Sequence, residues 1–191
     1  VTALTWSACI VGGISLFTYI SLYVGTLFFG EQDLKRKYNA EWALITGGSS
    51  GIGLCLAKRL AAQGVNLIIA AYPDKHLEGS VRALEEEFEG VEIRSLGCDF
   101  TATDPTTYLD ELEELTSDID VQLVFSNAGF IRTGFFDATT LQTQLSVHNC
   151  NATAAMSIAH HFLRRLVVSK LRGCVVFTSS PAGFFGSPFA S

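Results

Sequence analysis

Basic residues are few in this chain, and cysteine pairs at metal-binding spacing are missing. The sequence has 13 Lys and Arg against 19 Asp and Glu, which gives a formal net charge of −6. An acidic balance without a long basic stretch argues against a nucleic-acid-binding surface. The five cysteines are scattered, odd in number and never at Cys-x-x-Cys spacing, which disfavours a disulfide framework and a zinc site. We expect buried thiols in a reducing compartment, with no metal and no nucleic-acid partner.

Charged residues are also missing from positions 1–30, where apolar residues dominate. The run 4–29 exceeds the about 20 apolar residues that cross a bilayer as a helix. It lacks the basic n-region of a secretory signal, although a buried hairpin or an uncleaved signal is an alternative. We predict a transmembrane anchor at 1–30 and a polar linker at 31–40. The cluster Lys35-Arg36-Lys37 then places the following domain on the cytosolic side of the membrane.

The rest of the chain alternates between apolar strand-like runs and helical segments. This alternation predicts an α/β domain over 41–191, in which helices cover both faces of a parallel sheet. Right-handed crossovers then give a doubly wound sheet in the order 3-2-1-4-5. The predicted strands are 43–46, 66–71, 92–97, 121–126 and 173–179, and the predicted helices are 52–63, 76–88, 103–117 and about 141–170.

The first predicted strand ends in a glycine-rich turn, Thr46-Gly47-Gly48-Ser49-Ser50-Gly51-Ile52-Gly53, and a helix follows. Strand, glycine turn and helix form the context in which such a turn binds a dinucleotide. Gly47 permits the tight turn, Gly51 lets the backbone approach a diphosphate, and Gly53 lets the helix pack closely on the strand. The N–H groups at the start of the helix are then available to phosphate oxygens.

The spacing Thr-Gly-x-x-x-Gly-x-Gly resembles that of short-chain dehydrogenases/reductases, and the resemblance runs from about Glu41 to Ser191. It implies a Rossmann-type fold that binds a nicotinamide dinucleotide, with the family's last two strands absent here. Asp99 follows the third strand, where the family's aspartate contacts adenine. Asn127-Ala128-Gly129 matches the family's Asn-Asn-Ala-Gly, with Ser126 as a departure, and the asparagine ties neighbouring strands together. The cofactor-binding residues expected from these motifs are Gly47, Ser49, Ser50, Gly51, Ile52, Gly53, Tyr72, Asp99, Phe100, Asn127, Ala128 and Gly129.

The same resemblance assigns catalytic roles to a serine and an asparagine. Ser180 follows the fifth strand, before the small-residue turn at 181–183, and matches the serine that donates to the substrate carbonyl oxygen. In the long helix, Asn149 is favoured over Asn151 as the asparagine that holds a water in the proton relay. The family's Tyr-x-x-x-Lys motif, which supplies the proton, occurs nowhere in the chain and would fall just beyond Ser191.

The end of the second strand bears on the choice between NAD and NADP. Ala71 stands where NAD-dependent members of the family carry an acid, and Tyr72 stands where NADP-dependent members often carry arginine. Because Ala71 has no carboxylate to bind the 2′-hydroxyl of NAD, this position argues against NAD as the cofactor. Ser49, Ser50 and Lys75 are candidates to meet a 2′-phosphate, so NADP is the expected cofactor and NAD the alternative.

These features predict a membrane-anchored, NADP-dependent oxidoreductase that interconverts a ketone and an alcohol on a lipophilic substrate. The segment 34–43 resembles that of microsomal 3-oxoacyl-CoA reductases and 17β-hydroxysteroid dehydrogenases, and ketosphinganine reductases share the glycine turn. We expect a single-pass protein of the endoplasmic reticulum, with a second copy or a membrane complex as a candidate partner. Two other hypotheses stay open: a non-catalytic accessory subunit of a membrane complex, and a cofactor-sensing binding module.

Overall fold

The computed structural model describes residues 2–28 and 30–180, and the chain divides into two compact units, Val1–Asp33 and Leu34–Ser191. The first unit contains one long helix, α1 (Thr2–Phe28), which carries no charged residue. Within it, the stretch Thr5–Gly25 is long and apolar enough to cross a membrane. The N-terminal helix is therefore a candidate membrane span by length and composition.

The second unit is an α/β domain in which strands and helices alternate. Its strands are β1 (Trp42–Thr46), β2 (Asn66–Ala71), β3 (Ile93–Gly97), β4 (Val121–Ser126) and β5 (Cys174–Phe177). Its helices are α2 (Leu34–Tyr38), α3 (Gly51–Ala62), α4 (Lys75–Glu87), α5 (Thr106–Leu115), α6 (Leu141–His148) and α7 (Ala155–Val168). A 3₁₀ turn lies at Phe136–Ala138, and a π-helical segment, Asn149–Ala154, joins α6 to α7.

The five strands form one parallel sheet in the order β3-β2-β1-β4-β5, which confirms the predicted fold. The central strand β1 is buried along its whole length. Its Ile45 pairs with Ile69 of β2 on one side and with Phe125 of β4 on the other. The chain order reverses between β2 and β4, so the carboxyl end of β1 lies at the switch point where such sheets bind ligands.

Apolar side chains of alternate strand positions build a core on each face of the sheet. On one face, Ile45, Ile69 and Phe125 belong to a buried cluster that includes α3 and α4 residues. On the other face, Leu44 and Val124 belong to a cluster that includes residues of α5 and α7. Burial on both faces explains why the central strands are continuously apolar in sequence, as parallel strands usually are.

One helix begins three residues later than the sequence predicts, and another contains a π-helical segment. Helix α5 begins at Thr106 rather than at 103, because the Asp104 carboxylate accepts hydrogen bonds from Thr106 N and Oγ1, both at 2.9 Å. The hydrogen bond from Thr106 N, and to a smaller extent the one from Thr106 Oγ1, hold the pKa of Asp104 below its usual value. The helix predicted at about 141–170 is continuous, but its middle is the wider π-helical segment.

The segment predicted as a polar linker contains a short helix, α2, that packs on the domain. Leu34 and Tyr38 lie against the core cluster beside α3. The buried Gln122 of β4 holds the chain after α2: its Nε2 donates to Asn39 O (2.7 Å), and its Oε1 accepts from Glu41 N (2.9 Å). The chain is therefore fixed to the amino end of the sheet before β1 begins, at the edge opposite the glycine turn.

Candidate cofactor and active site

The glycine turn after β1 requires glycine at both of its ends. Gly47 has a φ of +65°, and a Cβ built there would lie 2.9 Å from Ala128 Cα. A Cβ at Gly53 would lie 2.2 Å from Gly47 O and 2.7 Å from Asn127 Nδ2. Side chains at either position would separate the turn from α3 and from the end of β4, so the turn is a tightly closed backbone structure.

The Asn127 side chain joins the ends of three neighbouring strands. Its Nδ2 donates to Thr46 O of β1 at 3.2 Å, and its Oδ1 accepts from Thr178 Oγ1, just after β5, at 3.0 Å. In return, Thr46 Oγ1 accepts from Asn127 N (2.9 Å) and Ala128 N (3.0 Å). These bonds fix the loop after β4 over the glycine turn.

A cavity of about 750 Å³ opens at this carboxyl edge of the sheet, between the glycine turn and the loops after β2, β3 and β4. Every predicted cofactor-binding residue lines it except Gly53, which lies where α3 packs beneath the turn. The lining residues that sequence reasoning predicted are Gly47, Ser49, Ser50, Gly51, Ile52, Tyr72, Asp99, Phe100, Asn127, Ala128 and Gly129.

The loop after β3 forms one wall of the cavity. Asp99 Oδ1 accepts from Thr101 N at 2.9 Å, which shapes the turn that leads away from the strand. Phe100 is buried and packs edge-on against Tyr108, with ring centroids 5.3 Å apart. The wall therefore combines an exposed carboxylate with an anchored aromatic ring, an arrangement suited to a purine base.

Two thiols that sequence reasoning assigned only to the interior also line this cavity. Cys98 precedes Asp99, and Cys150 lies in the π-helical segment. Burial raises the pKa of Cys98 to about 12 and that of Cys150 to about 11. Both side chains are therefore neutral thiols at physiological pH, and they add weakly polar, uncharged surface to the cavity.

The structure does not bring the two predicted catalytic residues to the described lining of the cavity. Asn149 Nδ2 donates to Thr101 O in the loop after β3, at 3.1 Å. Ser180 is exposed and is the last described residue after β5, while the turn expected at 181–183 lies outside the described residues. Asn149 thus binds the loop that follows one edge strand, β3, and Ser180 follows the other edge strand, β5.

Asn151, the alternative in the same helix, binds the loop after β4 instead. Its Oδ1 accepts from Phe130 N at 2.9 Å, and its Nδ2 donates to Phe130 O at 2.8 Å. A Cβ on Gly129 would come within 3.1 Å of Asn151 Oδ1. In the π-helical segment, Asn149 therefore binds the loop after β3, Cys150 lines the cavity, and Asn151 binds the loop after β4. Such segments are frequent at functional sites.

Several further lining residues were not among the predicted site residues. Ser146 lies in α6 and Cys150 lies in the π-helical segment, while the others lie at or after strand ends. For this second group, the signal that could have found them is position at a strand end rather than residue type. The further lining residues are Ala71, Asp74, Cys98, Thr101, Phe130, Arg132, Ser146, Cys150 and Thr178.

A model of the short chain dehydrogenase family matches residues 41–191, which is most of the chain. The chain belongs to the short-chain dehydrogenase family. It is 25% identical to the very-long-chain 3-oxoacyl-CoA reductase of Neurospora crassa over 96% of this chain and 57% of that protein. It is 26% identical to the hydroxysteroid dehydrogenase-like protein 1 of Gallus gallus over 90% of this chain and 51% of that protein.

Solved structures of the family share the fold of the second unit. A short-chain dehydrogenase from Sphingobium yanoikuyae, in complex with NADPH, superposes with a TM-score of 0.66 at 31% identity. The match covers 75% of this chain and 55% of that structure. The chain spans about half the length of the curated relatives that it matches.

Proposed function

We propose that this chain is the cofactor-binding part of a membrane-anchored, NADP-dependent oxidoreductase that interconverts a ketone and an alcohol on a lipophilic substrate. The observation that carries the proposal is the glycine turn: its backbone, closed against Asn127 and Ala128, forms one side of the cavity at the switch point of the sheet, together with Ser49, Ser50 and Ile52. A nicotinamide dinucleotide fits this arrangement because a diphosphate needs backbone N–H groups that no side chain covers.

We assign roles to several groups that line the cavity and to Ser180, which lies outside its described lining. The turn from Gly47 to Gly53 would hold the diphosphate at the start of α3, and Asp99 would accept from the adenine amino group. Ala128 and Gly129 leave room for the ribose next to the nicotinamide, which supplies or accepts the hydride when bound. Ser180 would donate to the substrate oxygen on which negative charge develops.

The choice of NADP rests on the end of β2. Ala71 offers no carboxylate for a 2′-hydroxyl, while the hydroxyls of Ser49 and Ser50 and the exposed Tyr72 line the cavity. A family member of known structure binds NADPH, which supports the same choice.

The anchor and the relatives support a lipophilic substrate. Helix α1 is apolar enough to span a membrane, and a span keeps the domain close to a membrane-dissolved substrate. The names of relatives point to a 3-oxoacyl-CoA or a steroid, and a sphingoid ketone is a third candidate. We propose a single span in the endoplasmic reticulum membrane with the domain in the cytosol. We also propose that a second copy or a membrane complex is the protein partner.

The proposal is tested by cofactor binding and by turnover of the full-length membrane protein. We expect NADPH to bind, and the Gly51→Asp variant to lose that binding because its carboxylate would occupy the place of the diphosphate. We also expect NADPH consumption with a 3-oxoacyl-CoA, a ketosteroid or ketosphinganine. Binding without turnover of any of the three would favour a cofactor-sensing module, and no binding at all would favour an accessory subunit.

The asparagine of the proton relay needs a separate test. Asn149 is the residue predicted from the sequence, and the contact of Asn151 with Phe130 makes it a second candidate. We propose Asn149 for the relay and expect Asn149→Ala to lower kcat while leaving NADPH affinity and the unfolding temperature unchanged. The same result in Asn151→Ala, without it in Asn149→Ala, would assign the relay to Asn151. Equal losses of stability in both variants, without a change in kcat, would assign both side chains to the fold alone.

A further inference from the structure

A carboxylate that was not among the predicted site residues lies at the cavity, beside the end of β2. Asp74 lines the cavity shortly after β2 ends at Ala71. The turn between them is fixed: Asp74 N donates to Tyr72 O at 2.9 Å, and a Cβ on Gly97 would lie 2.8 Å from Pro73 Cβ. Asp74 is therefore held in place by the packing of the turn on β3.

The Asp74 carboxylate also occupies the first backbone donors of α4. Its Oδ1 accepts from His76 N at 2.9 Å and from Leu77 N at 3.2 Å. Donors at the start of a helix are a common binding site for phosphate groups. Because Asp74 already uses these two, a phosphate near the start of α4 would meet the carboxylate instead.

The lysine that sequence reasoning placed near a 2′-phosphate faces elsewhere. Lys75 is not among the described residues that line the cavity; with Glu78 and Arg82 it lines a neighbouring surface depression, which Asp74 borders as well. Among the described lining residues, the one lysine or arginine is Arg132, which follows β4 on the far side of β1 from β2. Asp74 therefore adds a negative charge to the cavity at the end of β2, whereas Lys75 and Arg82 line the neighbouring depression and not the described lining of the cavity.

We propose that Asp74 is a specificity-determining residue that weakens binding of the 2′-phosphate of NADP and so limits the preference for NADP over NAD. The inference rests on the proposed function, because it places the adenosine ribose of a bound dinucleotide at the end of β2, as in related sheets. A carboxylate there repels a phosphate dianion, whereas it accepts a hydrogen bond from a ribose hydroxyl.

The test is the affinity of the full-length protein for NADPH and NADH in the wild type and in Asp74→Asn and Asp74→Ser. Both substitutions remove the charge and retain a side-chain oxygen that caps α4. We expect NADPH affinity to rise about tenfold, as for removal of one nearby like charge, with NADH affinity nearly unchanged. The gain should shrink at high ionic strength, since salt screens exposed charges.

Glu78→Gln is the matched control, because it removes the same charge from α4 at a position outside the cavity, and neither affinity should change. Lys75→Gln tests the rival interpretation. If Lys75→Gln weakens NADPH binding and Asp74→Asn does not strengthen it, the phosphate meets Lys75 and our proposal is overturned. Equal changes for both nucleotides in the Asp74 variants would overturn it as well. A wild-type protein that binds neither nucleotide would instead refute the proposed function, and this inference with it.

Discussion

Alanine substitutions at three glycines test whether the dinucleotide turn depends on close backbone contact. Gly53→Ala would place a methyl group 2.2 Å from Gly47 O and 2.8 Å from Gly47 C. These are backbone atoms, so the contact can be relieved only by moving α3 away from the turn. Forced overpacking typically costs about 1–3 kcal/mol, and because no flexible side chain can yield here, we expect about 3 kcal/mol or more for Gly53→Ala.

Two control substitutions, Gly51→Ala and Gly79→Ala, add a methyl group where no backbone atom lies close to it. At Gly51, φ is +54° and an added Cβ meets nothing within 4 Å, so Gly51→Ala should cost about 1 kcal/mol of backbone strain. Gly79 lies inside α4 with nothing within 4 Å of an added Cβ. Gly79→Ala should therefore stabilise the protein by about 0.5–1 kcal/mol, as in an exposed helix interior.

The assay is the unfolding of each variant in detergent, paired with NADPH binding by fluorescence. Stability should fall in the order Gly79→Ala, wild type, Gly51→Ala, Gly53→Ala. Gly51→Ala should lower NADPH affinity although it costs little stability, because Gly51 lines the cavity and the added methyl group would meet the diphosphate. If Gly53→Ala unfolds no earlier than Gly51→Ala, the contact of the added methyl group with Gly47 is easily relieved, and close backbone contact does not explain the glycine at position 53.

Other perturbations test the rest of the domain. Gln122→Ala should cost about 1–3 kcal/mol, because it removes the two part-buried hydrogen bonds that hold the backbone of Asn39 and Glu41 to β4; thermal unfolding measures the loss. The Arg94 guanidinium lowers the pKa of Asp118 through hydrogen bonds of 2.6 and 2.9 Å. The stability from this pair is therefore present above about pH 4 and is lost as pH falls through the lowered value, and acid unfolding of Asp118→Asn should lack that step. Iodoacetamide at mildly alkaline pH should modify the exposed Cys55 and spare Cys98, because burial raises the pKa of Cys98 to about 12. Peptide mass spectrometry measures this, and modification of Cys98 at the same rate as Cys55 would contradict it.

The fold was predictable because few arrangements satisfy the pattern of this sequence. Apolar strands that alternate with helices require a parallel sheet, and right-handed crossovers leave little choice of strand order. The dinucleotide turn was predictable for a related reason: glycine at Gly47 and Gly53 is required by backbone atoms that lie within a few residues or at the adjacent strand end. Local geometry and a single crossover rule are sufficient for both.

The docking of α2 was not predictable in the same way. The segment is polar, and its attachment depends on the side chain of Gln122, far along the chain, which binds backbone groups of Asn39 and Glu41. The presence of a glutamine in an apolar strand does not indicate which backbone groups its side chain will bind. Composition alone therefore predicted a linker where the domain forms a packed helix.

The asparagines show why side-chain roles are harder to predict than backbone motifs. In a regular α-helix, residues two positions apart point roughly 200° away from each other, so Asn149 and Asn151 cannot serve the same side of the sheet. Which of them faces the loop after β4 depends on the register of the helix, and the π-helical segment begins at Asn149 itself. Such a segment accommodates an extra residue per turn, so that side chains after it are rotated relative to those before it. The contact of Asn151 with Phe130 therefore depends on a local widening of the helix that hydrophobic periodicity does not reveal, and the loop that carries Ala128 and Gly129 is held in place by it.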